Sequence, residues 1–285
     1  MDLVTWLDGG KRERAGGYDL FVREDGVGER HLTFLHGYPT CSWDYAKIWP
    51  ELSASYRCLA FDFVGFGHSD KPRIQYSFEL HLRCLRDLWQ ARGIERTVLV
   101  AHDYGSTCAL EVLARHLEGT LPVHLDGVVL MNGGVVAAMH RPRPMQRALR
   151  LPWVGEHLVR LTNKRRFAKA FSDVLFVKPS PEELDQFWTS IEREGGRLLL
   201  PRLLHYMDDR QTHRERWEAT LADRTVPKAF VWGRRDPVSG AHLLEELHRR
   251  GTPGAFTELG DAAHYPQWEQ PQRVQAAIGQ FVGAL

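Results

Sequence analysis

Short apolar runs recur along the chain, and the stretches between them have helical periodicity. Seven runs read as strands, namely YDLFVRE, HLTFLHG, CLAFDF, TVLVAHD, LDGVVLMNG, KAFVWG and AFTELG. Several are continuously apolar, as strands covered on both faces of a sheet are. Stretches such as STCALEVLARHLEG carry helix-spaced apolar residues and close on glycine. This alternation predicts an α/β fold with a mostly parallel sheet of about eight strands, in which the first two runs are candidates for an antiparallel start.

The alternation of strands and helices breaks between residues 135 and 222. That stretch contains mainly helical patterns, MQRALRLPWVGEHLVRLTNKRRFAKAF, PEELDQFWTSIERE and RLLLPRLLHYMDD. It follows one apolar run and precedes another, so it is predicted to be an insertion between two strands of one sheet. The predicted organisation is a core of residues 1–134 and 223–285 with a helical cap at 135–222. The cap should lie over the carboxyl ends of the strands, where open α/β sheets bind ligands.

Composition and charge narrow the class of protein. The 285 residues are 43% hydrophobic and 26% charged, which suits one large globular domain with an inserted unit. The 37 basic and 36 acidic residues nearly cancel, so no overall field favours nucleic acid or a membrane. The four cysteines have neither the spacing of a zinc site nor that of a disulfide framework, which predicts free thiols and no metal.

Localisation and surface partners are indicated only weakly. The N-terminal stretch MDLVTWLDGG lacks the basic and apolar regions of a signal peptide, and no apolar run is as long as a membrane span. We therefore expect a soluble, cytoplasmic protein. From Arg141 to Lys169 there are nine Lys or Arg residues and one acid, Glu156. That segment could make weak contact with a membrane surface or an acidic substrate, or it could be one solvated helix face.

The stretch VLVAHDYGST, residues 98–107, joins an apolar strand to a helix through a tight turn that resembles a nucleophile elbow. Asp103 is at its apex, and the small residues Ala101 and Gly105 flank it at two positions on either side. Such a turn exposes the apex side chain above the sheet in a strained backbone conformation. An aspartate there would attack carbon directly and form an ester with the substrate. Alternatively, Asp103 is only the N-cap of the helix.

Two more candidate residues follow in the chain order of an α/β-hydrolase. Asp236 comes just after the strand AFVWG, and His264 just after the last predicted strand. An aspartate nucleophile is ordinarily ionised at neutral pH, so His264 would instead remove a proton from the water that hydrolyses the ester. Asp236 would orient the imidazole and stabilise its charged form. The alternatives are a turn residue for Asp236 and an ordinary loop histidine for His264.

Two backbone N–H groups are candidates for an oxyanion hole. They belong to Tyr38, in the loop FLHGYPT after a strand, and to Tyr104, directly after the elbow. His36 and His102 flank these positions, and we interpret both as structural residues that hold the loop and the turn by hydrogen bonds.

Together these motifs resemble the α/β-hydrolase superfamily, and within it the branch of epoxide hydrolases and haloalkane dehalogenases. The residues that carry the resemblance are HGYP, DFVGFGHSDKP, AHDYG and HYPQWEQP. HGYPTCSWDY, HDYG and NGG…HRP are most similar to the mesoderm-specific transcript-like hydrolases. The resemblance covers nearly the whole chain and implies an Asp–His–Asp triad, a cap domain and no cofactor. It says much less about the substrate.

The resemblance also implies which cap residues protonate the leaving group. Epoxide hydrolases open the ring with the aspartate while two cap tyrosines donate protons, and Tyr206 stands where the second is expected. The first has no clear counterpart, because Phe187 or Trp188 occupies its approximate place. Tyr104 is an alternative donor. Tyr206 could also be a tyrosine packed between cap and core with its hydroxyl bonded elsewhere.

We therefore predict a cofactor-free hydrolase that acts on a small apolar epoxide through an alkyl-enzyme ester. Haloalkane dehalogenation is the first alternative. It would need N–H donors for the halide, and Trp43, Trp188 or Trp217 could present an indole; Trp43 and Trp188 are also candidates for lining a substrate pocket. A serine esterase is disfavoured because Ser106 lies inside the helix. A non-catalytic binding or scaffold protein is the other alternative, which a filled cleft at Asp103 would favour.

Overall fold

The computed structural model describes residues 1–151 and 153–285; Pro152, which falls in one of the predicted helical stretches, lies outside them. Eight strands form one sheet. In chain order they are β1 Gly10–Ala15, β2 Tyr18–Asp25, β3 His31–Leu35, β4 Arg57–Phe61, β5 Arg96–His102, β6 His124–Met131, β7 Lys228–Gly233 and β8 Ala255–Leu259.

The strand order across the sheet is β1-β2-β4-β3-β5-β6-β7-β8. β2 runs antiparallel to both β1 and β4, and all other neighbouring strands are parallel. The predicted mostly parallel sheet of eight strands is thus confirmed. One detail was wrong: the first two predicted runs, β2 and β3, are not paired with each other, because β4 lies between them.

The edge strand β1 is the one that the apolar pattern did not predict. Its sequence, GKRERA, is polar, and five of its six residues are exposed or half-buried. It forms a ladder with β2 from Gly10 opposite Arg23 to Ala15 opposite Tyr18. Because backbone hydrogen bonds to its neighbour hold an edge strand, it needs no apolar face of its own, and charged side chains protect its free side.

Helices cover both faces of the sheet and fill the interval between β6 and β7. Those of the sheet region are α1 Leu3–Asp8, α2 Trp49–Ser55, α3 Phe78–Ala91, α4 Tyr104–Leu117, α12 Ala241–Arg249, α13 Pro266–Glu269 and α14 Pro271–Gly283. Those between β6 and β7, here called the helical segment, are α5 Pro144–Leu149, α6 Val154–Arg160, α7 Lys164–Ser172, α8 Pro181–Glu192, α9 Leu200–Leu203, α10 Tyr206–Thr212 and α11 Arg214–Ala222.

The parallel strands place the candidate chemistry at one edge of the sheet. The loops that follow the carboxyl ends of β3, β5, β6, β7 and β8 carry Tyr38, Asp103, Asn132, Asp236 and His264. Residues that are far apart in sequence therefore meet where ligands bind in such sheets.

Two other expectations can be compared with the structure. All four cysteines are buried free thiols. Within the described residues, none of the helices combines the length and the apolar character that crossing a membrane would require.

Candidate active site

Asp103 lies at the turn between β5 and α4 in a backbone conformation that favours glycine. Its φ is 47° and its ψ is −104°, a strained combination for a residue with a side chain. The turn is tightly enclosed, because a Cβ on Gly105 would be 2.0 Å from the carbonyl oxygen of Leu35. The sequence pattern of an elbow thus corresponds to a strained, closely packed turn whose apex is Asp103.

The carboxylate of Asp103 has one bonded and one open oxygen. Its Oδ2 accepts a hydrogen bond of 3.0 Å from the backbone N–H of Tyr38. Its Oδ1 has no hydrogen-bond partner among the described residues, and it is 4.0 Å from Nε2 of His264. Oδ2 is therefore held in place, while Oδ1 is free to react.

Asp236 lies beyond β7 and is fully hydrogen-bonded. Its Oδ2 accepts from Nδ1 of His264 at 2.8 Å, from the hydroxyl of Ser239 at 2.7 Å and from the side-chain amide of Asn132 at 3.0 Å. Its Oδ1 accepts from the backbone N–H of Val238 at 2.7 Å. Burial alone would raise the pKa of Asp236, but His264 and these hydrogen bonds outweigh burial and hold it well below its ordinary value.

His264 links the two aspartates. Burial by itself would lower its pKa, but the charge and hydrogen bond of Asp236, together with the charge of Asp103, raise the pKa of His264 to about 9. This raised pKa favours the imidazolium form of His264, which lies between the side chains of Asp236 and Asp103. The backbone carbonyl of His264 is also bonded, at 2.7 Å, to Nε2 of His102.

The loop after β3 supplies the backbone group nearest to Asp103. His36 ties this loop down, since its Nδ1 is 2.8 Å from the carbonyl of Gly37 and its Nε2 accepts from the N–H of Phe63 at 3.0 Å. The N–H of Tyr38 consequently points at Asp103, and Tyr104 is the first residue of α4, where backbone N–H groups have no partner within the helix. These two N–H groups remain the predicted donors of an oxyanion hole.

The hydroxyl of Tyr104 is bonded to two histidines and not to Asp103. It is 2.8 Å from Nε2 of His81 and 3.3 Å from Nε2 of His205. These bonds join α3 to the helical segment. The suggestion that Tyr104 protonates a leaving group therefore finds no support in this geometry.

Tyr206 begins α10 and reaches the site from the helical segment. It is fully buried, with its ring centroid 6.1 Å from that of Tyr38 and 5.1 Å from that of Tyr104. Burial and the nearby charge of Asp103 raise the pKa of Tyr206 well above its ordinary value, so its hydroxyl is protonated. That hydroxyl has no partner among the described residues.

Arg210 was not singled out by the sequence, although it lies one helical turn after Tyr206. It is 3% exposed, and its Nη2 is 4.0 Å from Oδ1 of Asp103. Its guanidinium carbon is 4.5 Å from the ring centroid of Tyr206. The signal that could have revealed it is the spacing of four residues, which places both side chains on one face of a helix.

A largely apolar cavity of about 290 Å³ lies between the sheet edge and the helical segment. His264, Tyr38 and Val238 line it from the sheet side, and Leu149, Phe167 and Phe171 from the helical side. Of the candidate residues, Tyr38 and His264 line this cavity, whereas Asp103, Asp236 and Tyr206 are not among its lining residues.

Most of the chain matches one protein family. The family model for the alpha/beta hydrolase fold matches residues 30–271. This chain belongs to the α/β-hydrolase fold family. The resemblance inferred from the motifs, and the prediction that the chain is a hydrolase of this fold, are both confirmed.

The relatives of this hydrolase include enzymes of the predicted branch. It is 34% identical over 299 residues to the human mesoderm-specific transcript homolog protein (99% of this chain, 88% of the relative). It is 34% identical over 281 residues to the Mycobacterium tuberculosis hydrolase LipZ (97% of each). It is 28% identical over 270 residues to epoxide hydrolase 3 of Xenopus tropicalis (88% and 71%). A solved haloalkane dehalogenase, the DbeA-M1 loop variant of Bradyrhizobium elkanii, superposes with a TM-score of 0.80 at 25% identity (96% of each chain).

The hydrolase does not direct its tryptophans into the cavity. Trp43 is 1% exposed and packs against Phe187 and Trp268, with its indole N–H on the carbonyl of Met1 at 3.3 Å. The ring of Trp188 lies behind a cavity-lining residue, with its centroid 5.6 Å from that of Phe167. Neither Trp43 nor Trp188 is among the residues that line the cavity, so the expectation that they contact substrate is not supported. Both are part of the packing instead.

The indole of Trp217 is also occupied. Its N–H donates to Oε2 of Glu111 at 2.6 Å. With the indoles of Trp43 and Trp217 engaged elsewhere, neither is free to hold a halide.

Glu269 is a second residue of the hydrolase whose importance the sequence did not reveal. Its Oε2 accepts from the backbone N–H groups of Phe176 and Val177 at 2.7 and 2.9 Å. Its Oε1 accepts from those of Ala263 and Tyr265, both at 3.1 Å. One buried carboxylate thus joins the turn after α7 to the loop that carries the histidine. Burial raises the pKa of Glu269, although these four hydrogen bonds oppose the rise.

Proposed function

We propose that this protein hydrolyses small apolar epoxides, without a cofactor, through a covalent alkyl-enzyme ester on Asp103. The observation that carries the proposal is the meeting of Asp103, His264 and Asp236 beside an apolar cavity that His264 lines, with the Tyr206 hydroxyl buried near Asp103. In this proposal, residues 135–222, which contain the helical segment, act as a cap. The similarity to epoxide hydrolase 3 supports the reaction class.

In the first step, Oδ1 of Asp103 forms a bond to an epoxide carbon, and the ring C–O bond breaks. The electron pair goes to the departing oxygen, which takes the proton of Tyr206. Oδ1 is suited to this role because Oδ2 is held by Tyr38. An epoxide oxygen needs such a donor, because an unprotonated alkoxide leaves with difficulty.

In the second step, His264 first releases its own proton to solvent and then removes one from water, and the resulting hydroxide adds to the carbonyl carbon of the ester. The bond from that carbon to the alkyl oxygen then breaks, and the proton on His264 passes to this oxygen, which leaves as the product hydroxyl. The N–H groups of Tyr38 and Tyr104 stabilise the oxyanion. Alkylation of Asp103 removes one of the negative charges that keep His264 protonated. The pKa of His264 should therefore be lower in the ester than in the free enzyme, so the base becomes available once the ester has formed.

The test is the His264→Gln variant, mixed with styrene oxide or 1-bromohexane and analysed by intact mass. Loss of the base should let the ester form without hydrolysis, so an adduct should accumulate, and peptide mapping should place it on Asp103. His248→Gln, an exposed histidine bonded to Glu258, is the matched control and should show no adduct.

Each outcome of this test has a distinct meaning. A gain equal to the whole epoxide supports the proposal, whereas a gain equal to an alkyl group without bromine assigns the protein to dehalogenation. If neither probe forms an adduct, an ester on Asp103 is contradicted. The same holds if an adduct still forms in the double variant that carries both Asp103→Asn and His264→Gln.

A further inference from the structure

A buried guanidinium next to the nucleophile has a defined set of partners. Nε of Arg210 donates to the hydroxyl of Thr107 at 2.8 Å, and its Nη1 is 3.3 Å from Nδ1 of His140. Burial and the adjacent guanidinium hold the pKa of His140 well below its ordinary value, so this histidine is a neutral acceptor. Two of the three guanidinium nitrogens are therefore held by the protein.

The third nitrogen is open and faces the site. Nη2 of Arg210 and the hydroxyl of Tyr206 are both buried, and neither has a hydrogen-bond partner among the described residues. Each unsatisfied buried donor destabilises the folded protein. Two such donors on one helix face, both near Asp103, indicate a place where a ligand supplies the acceptor.

The fold makes room for this guanidinium. Gly134 lies beyond β6, and a Cβ there would come within 2.2 Å of Nη1 of Arg210. Any residue with a side chain at position 134 would displace the guanidinium. The second glycine of the NGG stretch thereby gains a physical role that the sequence did not indicate.

The charges of the site favour one use of Arg210. Asp103 and Asp236 are balanced by His264 and Arg210, so the four groups sum to zero. Ring opening moves the negative charge from Oδ1 of Asp103 to the departing oxygen, and the sum is unchanged. A substrate carboxylate next to these four groups would add a charge that none of them balances, although Arg143 and Arg166, which line the cavity, carry positive charge.

We propose that Arg210 is the second leaving-group donor, which hydrogen-bonds through Nη2 to the departing oxygen of a neutral epoxide while Tyr206 transfers its proton. This inference rests on the proposed ester chemistry of Asp103. The guanidinium keeps all its protons. The tyrosinate that remains lies against the guanidinium. The water that hydrolyses the ester supplies two protons. One returns to the tyrosinate, and the other passes through His264 to the product. Arg210 thereby takes the role of the first cap tyrosine, for which the sequence offered no clear counterpart.

The first experiment measures the rate of ester formation in the His264→Gln background, where hydrolysis is blocked. Quenched-flow intact mass with styrene oxide is applied to this protein and to the added variants Arg210→Gln, Arg210→Lys and Arg214→Gln. Removal of one leaving-group donor should slow ester formation about 100-fold in Arg210→Gln. Arg210→Lys should be slowed less, because it keeps a charged donor. Arg214→Gln alters an exposed arginine and should leave the rate unchanged.

The same variants separate leaving-group stabilisation from recognition of a substrate carboxylate. With 3-phenylglycidate, which adds a carboxylate to the epoxide, a carboxylate-binding role would appear in Arg210→Gln as a higher concentration needed for half-maximal rate of ester formation. An effect confined to 3-phenylglycidate, with the styrene oxide rate unchanged, would overturn the proposal. If styrene oxide forms an adduct at the same rate with and without Arg210, the ester chemistry stands and the role of Arg210 falls.

A second experiment needs no turnover and remains decisive if no epoxide reacts. Asp103→Asn mimics the charge of the alkylated site, in which Arg210 has no carboxylate to balance it. Bromide is used as a probe for a departing anion. Bromide that binds the folded Asp103→Asn variant should raise its midpoint of thermal unfolding, with gluconate as the other anion to keep the ionic strength constant. Adding Arg210→Gln should weaken the apparent affinity for bromide at least about tenfold, the equivalent of one lost hydrogen bond to an anion. Equal bromide responses in the two proteins would overturn the proposal, and circular dichroism verifies that both are folded.

Discussion

The two walls of the candidate site differ in how their polar groups are bonded. On the sheet side, Asp236 has a partner for both oxygens, and His264 is held by Asp236 through its side chain and by His102 through its backbone carbonyl. Oδ1 of Asp103 and the buried Nδ1 of His102 have no partner there among the described residues. On the helical side, Tyr206 and Arg210 each retain a buried donor without a partner among the described residues. Bonded groups fix a geometry, whereas open donors lower stability until a ligand satisfies them. The sheet wall thus holds the imidazole by hydrogen bonds, whereas the helical wall has two open donors.

The largest expected change in stability tests the bonded wall. Glu269→Gln replaces a carboxylate that accepts four backbone hydrogen bonds with an amide whose NH₂ group must face backbone donors. We expect a loss of about 3 kcal/mol in the free energy of unfolding, measured by urea denaturation. Glu245→Gln, on the exposed face of α12, is the control and should change it by less than about 0.5 kcal/mol. A Glu269→Gln protein as stable as the control would show that this carboxylate does not secure the wall.

The pH dependence of stability tests the same wall through His264. Its pKa is raised from the ordinary 6.5 to about 9 in the folded protein, so folding favours the charged form. This contribution is fully present below about pH 6.5 and is lost as the pH rises through about 9. It corresponds to about 3 kcal/mol. The difference in unfolding free energy between wild type and His264→Gln should shrink over that range, and a constant difference would contradict the charged triad.

A smaller change of opposite sign tests the open wall. Tyr206→Phe removes a buried hydroxyl without a partner among the described residues and should raise the free energy of unfolding by about 1 kcal/mol. The matched change Tyr265→Phe removes a hydroxyl bonded to Thr40 and to the carbonyl of Tyr38, and should lower it by about 1 kcal/mol. Thermal unfolding of the two variants side by side gives the comparison. Equal losses in both would mean that Tyr206 has a bonded partner in solution and that the two walls do not differ as described.

The smallest expected effect concerns the tryptophans. Trp188→Phe keeps an aromatic ring behind Phe167 and should change KM for any substrate by less than about twofold. Phe167→Ala, which enlarges the cavity itself, should shift the preference toward bulkier substrates. A selectivity change in Trp188→Phe as large as that in Phe167→Ala would restore the expectation that Trp188 contacts substrate.

The fold and the sheet wall were predictable because each depends on local sequence. Apolar runs define the buried strands, and the residues just after them, Asp103, Asp236 and His264, must lie at one edge of a parallel sheet. The polar edge strand β1 escaped prediction because backbone pairing holds it without an apolar face.

The helical wall was less predictable, because its important groups act over long sequence distances. Arg210 resembles any surface arginine until Thr107, His140 and Gly134 are seen to enclose it. Glu269 belongs to a stretch that carried the family resemblance, yet its partners at Phe176 and Val177 lie 93 and 92 residues away. The basic stretch was ambiguous for the same reason: Arg150, Lys164 and Lys169 form ion pairs with Asp208, Asp185 and Asp173, which favours the solvated-face interpretation.

The carboxylate of Glu269 also limits how the turn after α7, whose Asp173 and Val174 line the cavity, can move. It holds the turn after α7 and the histidine loop at the same time, and the N–H of His264 donates to the carbonyl of Val174 in that turn at 3.1 Å. A movement of this turn away from the sheet would pull the imidazole of His264 away from Asp103. Substrate and product are therefore expected to pass at α5, where the exposed Met145 lines the cavity. The nearest backbone bond to the site on that side comes from Arg141, which precedes α5 and donates to the carbonyl of Val238 at 3.0 Å.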